Sequence, residues 1–160
     1  MKIEEIKENY FEEVKNLLVE LQEFVIEIDN FKLNTISKDY REKYFQFMMR
    51  DCEDNHGKVF VATDRNKVIG MIAGFVQNYD ERDILDYSCP KKGIVAELIV
   101  NKNTRCGGVG TILLKKMEEY FKSINCKYSQ IDVFAPNKNA IEFYCKNGYQ
   151  DRMITMFKKF

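Results

Sequence analysis

Proline and glycine are scarce, two and eight residues in 160, which excludes a collagen-like or Pro/Gly low-complexity chain. Net charge is missing as well: Lys and Arg number 25, and so do Asp and Glu. The overall basicity of a protein held on nucleic-acid phosphates is therefore absent, and no nucleic-acid partner is expected. Long apolar runs are lacking; stretches such as Met71–Val76 fall far short of a bilayer span. The opening Met1-Lys2-Ile3-Glu4-Glu5-Ile6-Lys7-Glu8 holds no apolar core of the signal-peptide kind. No membrane partner is expected, and the cytoplasm is the expected address. The five cysteines (Cys52, Cys89, Cys106, Cys126, Cys145) are odd in number, form no C-x-x-C pair and lack zinc or disulfide spacing. Most of them read as reduced, small, largely buried hydrophobes. The single histidine, His56, falls in the turn Asn55-His56-Gly57 and reads as solvated. That leaves little basis for a Ser-His-Asp or metal–His mechanism, and no metal is expected.

What is present is globular: 45% apolar, 31% charged and 13% aromatic residues, in a length that suits one domain over 1–160. Alternation near Ile3 and Ile6 predicts a first strand. Phe11, Val14, Leu18, Leu21, Val25 and Ile28 recur at helical spacing between Asn9 and about Asp29. Ser37 or Asp39 starts a second helix with Tyr40, Tyr44, Phe47 and Met48 on one face. Two β-rich runs, Lys58–Thr63 and Val68–Val76, flank the turn Asp64-Arg65-Asn66-Lys67 and predict a hairpin. A polar loop from Asn78 to Lys92 precedes a nearly all-apolar central strand, Ile94–Val100. A helix follows through Val109, Ile112, Leu113, Met117, Tyr120 and Ile124, then a strand over Ser129–Phe134. Pro136-Asn137 opens a last helix to about Asn147, Gly148 stops it, and Met153–Phe160 reads as a closing strand. The order β-α-α-β-β-β-α-β-α-β describes an α/β chain, a mixed sheet with helices on its faces.

The most informative stretch is Val100-Asn101-Lys102-Asn103-Thr104-Arg105-Cys106-Gly107-Gly108-Val109-Gly110-Thr111, between a buried strand and an amphipathic helix. Its amides sit at a helix N-terminus, where unpaired N–H groups and the positive dipole end suit phosphate. Glycines let the backbone approach a ligand without an intervening Cβ. The other reading of such a cluster is a plain strand-to-helix turn. A nucleotide P-loop needs G-x-x-x-x-G-K-[ST], but five places after Gly107 and Gly108 stand Ile112 and Leu113. The dinucleotide fingerprint G-x-G-x-x-G, begun at Gly108 and Gly110, meets Leu113 at its third glycine. What remains is Arg105-x-x-Gly108-x-Gly110.

That pattern resembles the R/Q-x-x-G-x-G/A loop of the GCN5-related N-acetyltransferase (GNAT) superfamily. Downstream, Asn137-Lys138-Asn139-Ala140-Ile141-Glu142-Phe143-Tyr144-Cys145-Lys146-Asn147-Gly148-Tyr149 resembles the same family's N-x-x-A-x-x-F-Y-x-x-x-G-F segment, with Tyr149 for Phe. The resemblance covers Ile94 to Tyr149 and implies the GNAT acyl-CoA N-acyltransferase fold. It also implies acetyl-CoA as cosubstrate, its pyrophosphate held by the loop that includes Arg105, Cys106, Gly107, Gly108, Val109, Gly110 and Thr111. The pantetheine amides would pair with the backbone of Leu98, Ile99 and Val100, and Asn137 would lie near the pantetheine arm. Asn137 also reads as a helix N-cap after Pro136, and the two roles are compatible. Arg105 reads alternatively as loop architecture, and Cys106 as a small loop residue without a nucleophile signature.

The chemistry implied is direct acetyl transfer to an amine, which needs a proton acceptor and an acid for the leaving thiolate. Tyr144 matches the family's general-acid tyrosine, since a phenol with a pKa near 10 is protonated at neutral pH; without the motif it would read as a core aromatic. Glu97 is the one charged residue in Ile94–Val100. A carboxylate in an apolar strand is costly unless paired or hydrated, and burial raises its pKa, so Glu97 is a candidate base or amine-binding group. The alternative is a salt-bridged or edge-facing glutamate.

Charge is unevenly spread, with 14 basic and 19 acidic residues in 1–92 but 11 and 6 in 93–160. The acidic half, with Glu27, Asp29, Asp80, Glu81, Asp83 and Asp86, suggests a small cationic amine as acceptor, because clustered carboxylates attract cations. Solvated surface charge is the alternative for most of them. Two other functions stay open at this point: a protein N-terminal or lysine acetyltransferase, and a non-catalytic acyl-CoA-binding regulatory domain. A homodimer is left open too.

Overall fold

The computed structural model describes residues 1–88, 90–105 and 107–160. A first strand, β1 (Lys2–Glu5), leads through a 3-10 turn at Glu8–Tyr10 into α1 (Phe11–Ile28). Then come α2 (Tyr40–Asp54), the hairpin β2 (Lys58–Asp64) and β3 (Lys67–Val76), and a one-turn helix α3 (Asp83–Asp86). The stretch 78–92 therefore holds a short helix where a loop was expected, built on Asp80, whose carboxylate accepts from the Arg82 and Asp83 N–H groups. The chain continues with β4 (Lys92–Val100), a 3-10 turn (Lys102–Thr104), α4 (Val109–Ser123), β5 (Tyr128–Ile131) and α5 (Lys138–Lys146). No helix among the described residues is long and apolar enough to cross a membrane.

The five strands lie in sequence order, antiparallel from β1 to β4 and parallel between β4 and β5. Both faces are covered, so the hairpin strands read as continuous apolar runs while their side chains alternate between two cores. Val59, Val61, Met71 and Ala73 meet Val14, Leu17 and Leu18 of α1 and Phe45, Met48 and Cys52 of α2. Phe60, Ala62 and Ile72 meet Val109, Leu113, Leu114, Met117 and Phe121 of α4 and Tyr144 of α5. On α2 the inward residues are Phe45, Met48 and Cys52; Phe47, expected to share a face with Met48, is 48% exposed.

The closing strand expected over Met153–Phe160 does not form. Residues 151–160 are exposed and belong to no strand, with the Phe157 ring 5.5 Å from Phe31 and the Arg152 guanidinium over Tyr87. Apolar residues in series mark a segment able to pair, but pairing needs a partner edge, and β5 offers four residues only. The strand expected over Ser129–Phe134 likewise stops at Ile131, for a reason that shapes the site.

Candidate active site

Two strands part company at one side of the sheet, where β4 meets the edge strand β5. The pairing of β4 with β5 ends at Val95↔Ile131, while β4 stays paired with β3 as far as Val100. The register gives the cause: Ala73 opposes Glu97 and Gly74 opposes Val95, so Ala96 is one extra residue, a β-bulge. A bulge bends its strand and re-aims the side chains beyond it. Val95 packs in the α4/α5 core, and two residues on Glu97 would face the same way. Past the bulge, Ile99 instead packs in the α1/α2 core, and Glu97 turns with it toward α2. Ala96 is left exposed in mid-strand, beside a backbone edge over 96–100 that β5 no longer covers.

A cavity of about 260 Å³ opens in this parting. One wall is β4 (Ala96, Glu97, Leu98) with the segment after β5 and Asn137, Ala140 and Tyr144; the other is α1 and α2, including Leu21, Val25, Tyr40 and Tyr44. Glu97 and Tyr144, 47 places apart in sequence, thus line one space. The Tyr44 hydroxyl donates to Glu97 Oε1. Glu97 is half-buried and has no cationic partner among the described residues. Desolvation pushes its pKa above the usual carboxylate value, and the Tyr44 hydrogen bond opposes that rise. Tyr40 stacks on Tyr44 with centroids 4.8 Å apart and planes at 14°. Burial, with the nearby Glu97 charge adding to it, pushes the Tyr40 phenol up to about 12.

Tyr144 is 8% exposed and braced edge-on by Phe143 and Tyr149 at 5.1 and 5.6 Å. Burial raises its pKa, so the phenol keeps its proton throughout the neutral range. No hydrogen bond engages its hydroxyl among the described residues. Asn137 caps α5, its Oδ1 accepting from the Ala140 N–H at 3.2 Å, while also lining the cavity. Both readings of Asn137 are compatible with that position.

The glycine loop sits at the other end of the open β4 edge. Gly108 is the N-cap of α4 with φ +77°, and a Cβ there would meet nothing within 4 Å. The first intrahelical bond runs from the Ile112 N–H to the Gly108 carbonyl, leaving the Val109, Gly110 and Thr111 amides without an intrahelical acceptor. At Gly110 a Cβ would come within 3.4 Å of Phe143. Arg105 acts as a bracket: its Nε donates to the Val100 carbonyl at 3.1 Å, and its guanidinium lies 3.7 Å from Glu20. Those contacts favour its architectural reading. Cys106 and Cys89 lie outside the described residues. Of the other cysteines Cys52 is buried and Cys126 half-buried, while Cys145 is exposed.

The acidic residues put forward for acceptor attraction are not in the cavity wall. Asp29 is buried with its oxygens accepting from the Phe31, Leu33 and Asn34 N–H groups, and these bonds hold its pKa at about 2. Asp80 and Asp83 bond within their own turn, and Glu27, Glu81 and Asp86 line nothing there. The wall's carboxylates are Glu97 and the exposed Asp132. The sequence reading missed the α2 side: Tyr40 and Tyr44 were visible as an i, i+4 pair, but only the fold brings Tyr44 to Glu97.

A family model described as the acetyltransferase (GNAT) family matches residues 18–149. An uncharacterized N-acetyltransferase of Methanocaldococcus jannaschii is 28% identical over 120 residues, 73% of this chain and 48% of that protein. The chain spans about half the length of the curated relatives it matches. Among solved structures, a tetramutant of the BH1408 protein from Bacillus halodurans superposes with a TM-score of 0.85 at 18% identity, covering 100% of both chains. The aminoglycoside N-acetyltransferase AAC(6')-Iy, in complex with CoA, superposes with a TM-score of 0.71 at 12% identity over 99% of this chain and 98% of that one. At such identities the two structures speak to the fold.

Proposed function

The chain belongs to the acetyltransferase (GNAT) family, and from that premise we propose that it transfers an acetyl group from acetyl-CoA directly to a primary amine, a small cationic one. The observation that carries the reading is the parting of β4 and β5, with Glu97 and Tyr144 lining the cavity it opens. The residues present fit the cosubstrate. The uncovered edge at Leu98, Ile99 and Val100 offers backbone partners to an amide-bearing arm, and Asn137 lies beside that path. The amides of Val109, Gly110 and Thr111, with Gly107 and Gly108 leaving the approach clear, suit a pyrophosphate at a helix N-terminus.

Acetyl-CoA, when bound, supplies an activated thioester carbonyl. Glu97 takes a proton from the incoming ammonium, a task helped by the desolvation that raises its pKa above the ordinary carboxylate value. The neutral nitrogen bonds to the acyl carbon as the carbon–sulfur bond breaks and its electron pair leaves on sulfur. Tyr144 holds a proton at Oη for that sulfur, and the second N–H proton restores the phenol through water. The cavity's modest volume supports a small acceptor over a folded protein surface. A thiol-release assay across an amine panel tests the reading. Tyr144→Phe should lower kcat about 10²–10⁴-fold with little change in KM for acetyl-CoA. Full activity in that variant would remove Tyr144 from the chemistry, and no turnover with any amine would remove the function.

A further inference from the structure

Glu97 has no Lys, Arg or His beside it among the described residues, and the groups that face it are phenols: Tyr44 and, behind it, Tyr40 from α2, and Tyr144 from α5. A carboxylate without a cationic partner, set among phenols that carry no charge of their own, is a place for one ammonium group, attracted by the carboxylate charge. Around that point the α1 wall is mostly apolar: Leu21, Val25 and Ile28 turn half-buried side chains to the cavity, and the one polar residue of α1 there, Gln22, donates its amide to the Thr35 carbonyl. Among the described residues no second carboxylate lines the cavity on this side. Asp29, at the end of α1, is saturated by N–H groups of its own loop. Asp132 is exposed, belongs to the segment after β5, and accepts from Gln130 at 3.3 Å.

Size narrows the choice further. An apolar cavity of about 150 Å³ holds one benzene. The cavity of about 260 Å³ must also take the reacting end of the acyl donor, leaving room for one ring or a short branched chain.

Resting on the acetyltransferase reading, we infer that the acceptor is a compact primary monoamine with an apolar body, an arylalkyl or branched alkyl amine, its ammonium at Glu97 and its body on Leu21, Val25 and Ile28 of α1. A second cationic centre would find no carboxylate among the α1 residues of the wall. A polyamine, an aminoglycoside and a lysine side chain each bring more charge or bulk than the space accepts.

The test compares phenethylamine and isoamylamine with putrescine, spermidine, an aminoglycoside and a lysine peptide, by kcat/KM and by calorimetric titration into the CoA-saturated protein. An apolar pocket discriminates by roughly 10–200-fold for each methylene-sized difference. The two monoamines should therefore lead by about tenfold or more in both readouts. Val25→Asp, at a half-buried position of α1, should reverse the order by favouring the diamine. Faster turnover or tighter binding of putrescine, spermidine, the aminoglycoside or the peptide in the unaltered protein would overturn the inference while leaving amine acetylation standing. An order unchanged in Val25→Asp would overturn the α1 assignment in the same way. Silence of the whole panel would sink this inference together with the parent reading.

Discussion

Tyr44→Phe removes one oxygen from the cavity and leaves the ring in its stack with Tyr40. The hydroxyl donates to Glu97 and so stabilises the ionised carboxylate, working against desolvation, which is the larger influence. A hydrogen bond to a charged group contributes about 1.5–3 kcal/mol. At about 1.4 kcal/mol per pKa unit, its loss should raise the Glu97 pKa by roughly one to two units. The base is active when ionised, so the acidic limb of kcat/KM against pH should move to higher pH by that amount. At a fixed pH below the limb the rate should fall about 10–100-fold, and the curves should converge on the alkaline side. Thiol-release kinetics across pH, with wild type and variant matched for thermal stability, read this directly. A loss of rate that is the same at every pH, with the limb unmoved, would show that Tyr44 does not set the protonation of the titrating group.

Glu97→Gln should cut activity yet raise the melting temperature at neutral pH. The folded-state pKa of Glu97 lies above its ordinary 4.5, so wild type loses stability as pH rises from there through the folded value, and the amide does not. Each kcal/mol regained is worth about 2–4 °C in a domain near this size, and the gain should vanish on acidification below about 4.5. A melting temperature that is lower at every pH would contradict it. Gly108→Val places a branched residue at φ +77° where its Cβ meets nothing within 4 Å, so the fold should lose only about 1–2 kcal/mol while calorimetric affinity for CoA drops at least about tenfold. Unchanged affinity would take the loop out of the pyrophosphate site.

Periodicity carried most of the fold. The α1 and α4 stripes, the hairpin with its polar turn and the buried run of β4 are all one-dimensional patterns that survive packing. Elements that depend on a partner were less legible. Residues 153–157 have the composition of a strand, but composition cannot say which edge accepts them. The Ala96 bulge has no marker of its own, since no glycine or proline stands there, yet it decides which core Glu97 faces. Glu97 itself was visible as the lone charge in an apolar strand, and Gly108 as part of a spaced motif. Tyr44 was not, because 53 residues separate it from the carboxylate it serves. Bulk charge misled for the complementary reason: an acidic half of a sequence says nothing about where its carboxylates point, and Asp29 spends its oxygens on its own loop.

The parting of β4 from β5 gives the sheet an edge in its interior. Residues 97–100 are held on one side by β3 and turn their other side to the cavity. Alternate amides of one strand thus differ sharply in access to solvent: those bonded to β3 open only with the sheet, while their neighbours have no strand to shield them. In deuterated buffer the unliganded protein should show a few rapidly labelled amides inside its most protected layer. A ligand that lies along this edge would slow them selectively, residue by residue, so the path of its arm could be traced on the backbone without any turnover at all.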